Sequence, residues 1–180
     1  MASETPDRQA GERQPGKAVA VLVGSVLIML TTTIPYLTLV NAFLFAGIIF
    51  GGWGGTYYHI IRHQVRLDYG EAFLLGALCG LGGGVLSVMA GYLLLVGFDY
   101  RPGLESLVLL AEWGSRVAPE EAGTFRQLLQ AVTAPVELTA ADILMSMAMS
   151  GMIYAPFAGL GGRIAVFILK RQARQSAQTS

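Results

Sequence analysis

Apolar positions in this chain come in long blocks rather than in alternation. From Ala18 to Tyr58 there is no Asp, Glu, Lys or Arg across 41 residues. One bilayer crossing takes about 20 apolar residues, so this block predicts two crossings with a short connection. The connection is expected at Thr31–Tyr36, where Pro35 removes a backbone donor and disfavours helix at Ile34. Threonine hydroxyls can bond the backbone groups freed there, and Tyr36 suits a membrane–water interface. A third block runs from Tyr69 to Phe98 and is uncharged after Glu71. A fourth runs to about Leu169. The predicted spans are 18–34, 37–59, 70–98 and 142–169. The fold class is therefore all-α: a polytopic membrane protein with four transmembrane helices.

Between the third and fourth spans the pattern changes. Leu104, Leu107, Val108 and Ala111 mark one amphipathic helix, and Ala122, Phe125, Leu129 and Val132 mark another. Pro119 followed by Glu120 and Glu121 is a helix start. Each helix in this 103–138 segment is too polar to span, so it is expected on the membrane surface or capping the bundle. It is either a connector folded over the bundle or the place where a partner or lid docks.

Small residues add a second pattern. Gly76, Gly80, Gly84, Ser87 and Gly91 recur on one face of the third span. Gly47, Gly51 and Gly55 do so in the second, and Gly151, Ala155 and Gly159 in the fourth. In a bilayer such rows let helix backbones approach closely. The second-span row is the natural partner of the third-span row on this reading.

Composition agrees with the blocks. Hydrophobic residues make up 53% and charged residues 13% of 180 residues, against about 25% charged in a typical soluble domain. Formal net charge is zero, but its distribution is lopsided. With four spans both termini share a side with the 59–68 loop. That side holds nine basic residues, Arg8, Arg13, Lys17, Arg62, Arg66, Arg163, Lys170, Arg171 and Arg174. The other side holds three, Arg101, Arg116 and Arg126. The positive-inside rule puts both termini in the cytoplasm of a plasma (inner) membrane and the amphipathic segment outside. Residues 1–17 read as a disordered cytoplasmic tail, 18–170 as the membrane domain and 171–180 as a basic tail. Acids among the first 17 residues argue against a secretory signal, so the first span is expected to stay uncleaved.

Candidate chemistry is sparse. Asn41 is the one strongly polar side chain early in the second span; it is either an interhelical hydrogen bond or cap, or a polar ligand in a pathway. Pro156 should kink the fourth span and free the carbonyl of Met152. Cys79 and Met89 read as packing. His59 and His63 are four apart, but no further ligand lies near them, so the expectation is a basic loop with no metal and no cofactor. Asp68 with Glu71 reads as a reciprocal helix cap, and Thr139 with Asp142 as a T-x-x-D helix start that makes Asp142 a cap residue rather than an intramembrane proton carrier.

The elements IPYLTLVNAFLFAGIIFGG, YGEAFLLGALCGLGGG and APFAGLGGRIAVFILKR resemble a group of small bacterial four-span membrane proteins known only as domains of unknown function. The resemblance rests on Pro35 and Asn41 near the start of the second span, Gly51-Gly52 as the pair that ends it, Gly70-Glu71-Ala72 opening the third, and Gly161-Gly162 near the end of the fourth. Members often carry cysteines in the second span, where this chain has residues such as Phe43 and Phe45. The resemblance implies a fold and a bacterial membrane, and no activity.

Three functions are compatible. The first is a structural or accessory membrane protein that packs with itself or with other membrane proteins. The second is an oligomeric transporter or channel component using Asn41, the threonines and the Pro156 kink. The third, an intramembrane enzyme, lacks a recognisable nucleophile–base or metal set. Expected partners are the lipid bilayer and other membrane proteins or further copies, with no nucleic acid.

Overall fold

The structure is a computed structural model that describes residues 16–34, 37–42, 45–133 and 139–178. Most of the predicted N-terminal tail, Pro35 and Tyr36 of the predicted turn, and Phe43 lie outside the described residues. The described chain is helical, with no strand: α1 Ala18–Thr33, α2 Leu37–Ala42, α3 Ala46–His63, α4 Tyr69–Phe98, α5 Leu104–Val117, a 3₁₀ turn Pro119–Glu121, α6 Ala122–Thr133 and α7 Ala140–Gln178.

Helix starts follow from local chemistry. The Asp68 carboxylate accepts from the Gly70 N–H at 3.4 Å, and the Glu71 carboxylate accepts from the Asp68 N–H at 3.1 Å. Both anions thus sit at the positive end of α4. The backbone N–H groups of Tyr69 and Gly70 hold the Asp68 carboxyl below its ordinary range. At α7, Asp142 Oδ2 accepts from the Thr139 N–H at 3.0 Å and from its hydroxyl at 2.6 Å. The Asp142 N–H in turn donates to Thr139 Oγ1 at 3.3 Å.

α1, α3, α7 and α4 form a closed ring, each packed on the next. Ser25 meets Cys79 and Thr32 meets Ser87, so α1 and α4 run in the same direction. α7 runs against α4, with Gly76 at Ala158, Gly80 at Tyr154 and Gly84 at Gly151. Two buried clusters fill the ring: Ile28, Ile48, Cys79 and Ala158 at one level, and Leu67, Ala72, Leu75 and Val166 at another. Among the described residues α4 and α7 are long and apolar enough to cross a membrane, while α1 is apolar but only 16 residues long.

Three features depart from the pattern-based reading. The stretch 37–59 is divided: α2 ends at Ala42, and α3 starts after Phe45, whose φ of 56° is left-handed. Phe45 instead packs its ring at a tilt on Phe157 of α7, ring centroids 4.4 Å apart. The loop expected from His59 begins only at Gln64, because α3 continues through both histidines. The tail expected beyond residue 170 continues α7 to Gln178. Its residues Arg171, Gln172, Ala173, Arg174, Gln175 and Ala177 are helix formers with no Gly or Pro among them.

The amphipathic pair α5 and α6 packs on itself. It is tied to the bundle by a 2.5 Å hydrogen bond between the Ser106 hydroxyl on α5 and the Thr38 hydroxyl on α2.

Candidate functional site

At the break between α2 and α3 the Asn41 side chain meets the end of α1. α1 ends at Thr33, so its last carbonyls have no helical donor of their own. The Ile34 N–H satisfies Leu30 at 3.0 Å. The Thr31 carbonyl is met by Asn41 Nδ2 at 3.0 Å. Asn41 therefore caps α1 from a separate helix. Its other atom, Oδ1, is buried with no hydrogen-bond partner among the described residues. Gly47 makes room for this arrangement: a Cβ there would stand 2.6 Å from Asn41 Oδ1 and 2.8 Å from Thr31 Cβ. A buried amide oxygen left without a donor costs about 1–3 kcal/mol.

Further polar contacts follow one another along the interior face of α1. The Thr32 and Ser87 hydroxyls are 2.7 Å apart, and Ser87 also reaches the Gly83 carbonyl at 2.7 Å. Ser25 Oγ donates to the Cys79 carbonyl at 3.1 Å. Cys79 Sγ points at the Ala20 carbonyl at 3.8 Å and is fully buried. Near the other end of α3, Thr56 and His59 are buried, and Thr56 Oγ1 and His59 Nδ1 have no hydrogen-bond partner among the described residues. The His59 and His63 rings are 5.0 Å apart. Among the described residues no three His, Cys, Asp or Glu side chains gather as a metal-holding set.

The glycine rows lie at helix contacts, but not with the partners expected. Gly51 faces Ile28 of α1, and a Cβ on Gly55 would be 2.8 Å from the Ala20 carbonyl and from Cys79 Sγ. The α4 row faces α7 instead of α3: Gly76 abuts the Ala158 carbonyl, Gly80 the Tyr154 carbonyl and Gly84 the Gly151 amide. The rows are thus not each other's partners, because the ring places α1 against α3 and α7 against α4. In α7, Gly151 is 3.4 Å from Leu81 and Gly159 2.6 Å from the Phe73 ring, measured from the added Cβ. Ser87 bonds across to α1, and Gly91 meets only Pro102 at 3.9 Å. Pro156 lies inside α7.

Several close contacts were not legible as rows. Gly24 faces Cys79, Gly52 the Ala158 carbonyl, Gly83 Ile28, Gly161 the Ile49 carbonyl and Gly162 the Ala72 carbonyl. Gly52 lies on a different face of α3 from Gly51 and meets α7, so adjacent glycines serve two neighbours at once. That doubling is the signal that could have found them. Compared with protein-family models, curated proteins and solved structures, the chain matches none.

Proposed function

We propose that this chain is a four-crossing protein of a bacterial plasma membrane, with both termini cytoplasmic, whose role is structural or accessory. α1 and α3 pack side by side with α4 and α7, the helices long and apolar enough to cross. Whatever layer holds one pair holds the other. At about 1.5 Å per residue the 16 residues of α1 and the 18 of α3 reach most of the way through a core of roughly 30 Å. Large apolar side chains such as Leu22, Leu74, Leu93, Met152 and Phe167 are exposed around the ring, as lipid-facing side chains are.

The observation that carries the accessory reading is an open apolar groove of about 740 Å³ between α1, α4 and α7. Leu22, Leu78, Leu81 and Val85 form its walls, and the small Ser25, Gly82 and Ala148 lie within it. A large-walled, small-floored groove accepts one further transmembrane helix, since small residues permit close approach. The test is native mass spectrometry of the protein gently extracted from its own membrane. A fixed ratio with another polypeptide is expected. Ala148 is exposed, so Ala148→Trp fills the groove without disturbing the ring. It should remove the associated polypeptide at an unchanged melting temperature. A bare monomer from the wild-type chain would sink the accessory reading.

The buried, unpaired Asn41 Oδ1 at a divided helix favours a second reading, a transporter or channel component. Interrupted helices with exposed backbone and amide groups are common ligand sites in carriers. Here the expected result is solute or ion flux in proteoliposomes that Asn41→Leu abolishes, with the mass spectrum showing a homo-oligomer. Silent vesicles exclude it.

A further inference from the structure

We propose that the pocket between the end of α3, the loop after it and the final third of α7 binds the headgroup region of an anionic phospholipid. The pocket holds about 380 Å³. Its floor is apolar, with Ile60, Leu67 and Val166, and Leu67 and Val166 are buried in the bundle. Its polar lining is cationic throughout: Arg66 from the loop, and Lys170 and Arg174 from α7.

No carboxylate lines it. Asp68 and Glu71, which follow Leu67 in sequence, are engaged in the α4 cap. Asp68 feels Lys170 and Arg163 through space. Arg66 and Arg174 form no ion pair among the described residues. Lys170 is held in place instead by the Tyr69 ring, its Nζ 4.2 Å from the ring centroid.

Three cations over an apolar floor match one ligand chemistry, a phosphate diester joined to an acyl-glycerol. The phosphate satisfies the cations, and the glycerol and first methylenes cover the floor. A free phosphate would leave that apolar surface wet. A zwitterionic headgroup would bring a choline ammonium into a site with no acid to receive it. Basic pockets at the cytoplasmic ends of membrane helices are suited to such headgroups. The inference rests on the membrane reading and on the charge bias that orients it, and not on the accessory role.

The experiment titrates the full-length protein in detergent with phosphatidylglycerol, phosphatidylcholine or inorganic phosphate. Retained lipid is read by native mass spectrometry, and the melting temperature is followed in parallel. Phosphatidylglycerol should stay bound and raise the melting temperature, while phosphatidylcholine and phosphate do neither. The double variant Arg66→Ala, Arg174→Ala should bind phosphatidylglycerol about 30-fold more weakly, given what each basic side chain contributes at an anionic surface. Both side chains are exposed, so its lipid-free melting temperature should equal that of the wild type. Arg116→Ala on α5, away from the pocket, should bind as the wild type does. Equal retention of phosphatidylcholine, an equal shift with phosphate alone, or undiminished binding by the double variant overturns the proposal. These results are independent of whether a partner polypeptide co-purifies.

Discussion

Gly80→Leu should cost the bundle about 3 kcal/mol or more and lower its melting temperature by roughly 10 °C. The reason is what a side chain would meet there. Even a single Cβ would lie 2.6 Å from the Tyr154 carbonyl oxygen, 2.7 Å from Ala155 Cα and 2.8 Å from the Ala155 nitrogen. These are backbone atoms of a helix, which cannot rotate aside as a side chain can. Gly76 and Gly84 are closed by the α7 backbone in the same way, one turn to either side. The substitution therefore has one outlet, separation of α4 from α7, and that opens the longest contact in the ring. Gly97→Leu is the matched control. It lies in the same helix with nothing within 4 Å of an added Cβ. It should be tolerated, as should Gly91→Leu, whose one neighbour is Pro102 at 3.9 Å. Thermal unfolding in detergent, followed by circular dichroism, makes the comparison. A Gly80→Leu protein that melts with the wild type means that α4 and α7 do not touch through this face.

Ile28→Ala should cost about 2–5 kcal/mol, the range for removing a large aliphatic side chain from a packed core. Ile28 is fully buried and lies between α3 and α4, filling the space left by Gly51 on one and Gly83 on the other. The two glycines respond differently. A Cβ on Gly51 would collide with Ile28 Cγ1, an atom that Ile28→Ala deletes. A Cβ on Gly83 would lie 2.7 Å from Ile28 Cβ, which alanine keeps. Gly51→Ala should therefore be destabilising alone and cost at least about 1 kcal/mol less when combined with Ile28→Ala. Gly83→Ala should be relieved less, because Ile28 Cγ2 at 2.7 Å is removed but Cβ at the same distance stays. A double-mutant cycle in denaturant decides it, and additivity for Gly51 with Ile28 would refute the contact.

How much of this was legible beforehand depends on whether the deciding interaction was local. The caps at Asp68–Glu71 and Thr139–Asp142 could be read because both partners lie within one helical turn. The two amphipathic helices could be read because periodicity is itself local. The division of the second apolar stretch at Phe45 could not. No charge, proline or glycine stands at positions 43–45, and the reasons for the break lie in Phe157 and in the end of α1. The role of Asn41 was open between cap and ligand, and the structure gives its nitrogen to the cap while leaving its oxygen unused. His59 read as part of a basic loop because Arg62 and Arg66 follow it, yet it is buried inside α3. The glycine rows showed which faces were narrow. They could not show which helix filled each face, since that depends on the order of helices around the ring.

The hydrogen bond from Ser25 to the Cys79 carbonyl joins positions 54 residues apart. During synthesis at about 5–20 residues per second, Cys79 follows Ser25 by roughly 3–10 s. Throughout that interval α1 has no α4 to lie against, and the Ser25 hydroxyl can only turn back on the carbonyls of its own helix. The first helix to be made is thus among the last to be secured. α3, also made before α4, meets α1 through glycine faces, with no hydrogen bond to Ser25 among the described residues. α1 and α3 are thus both made before the residue that closes the Ser25 hydrogen bond. A pause in synthesis between residues 63 and 79 would lengthen the interval in which Ser25 waits for its partner.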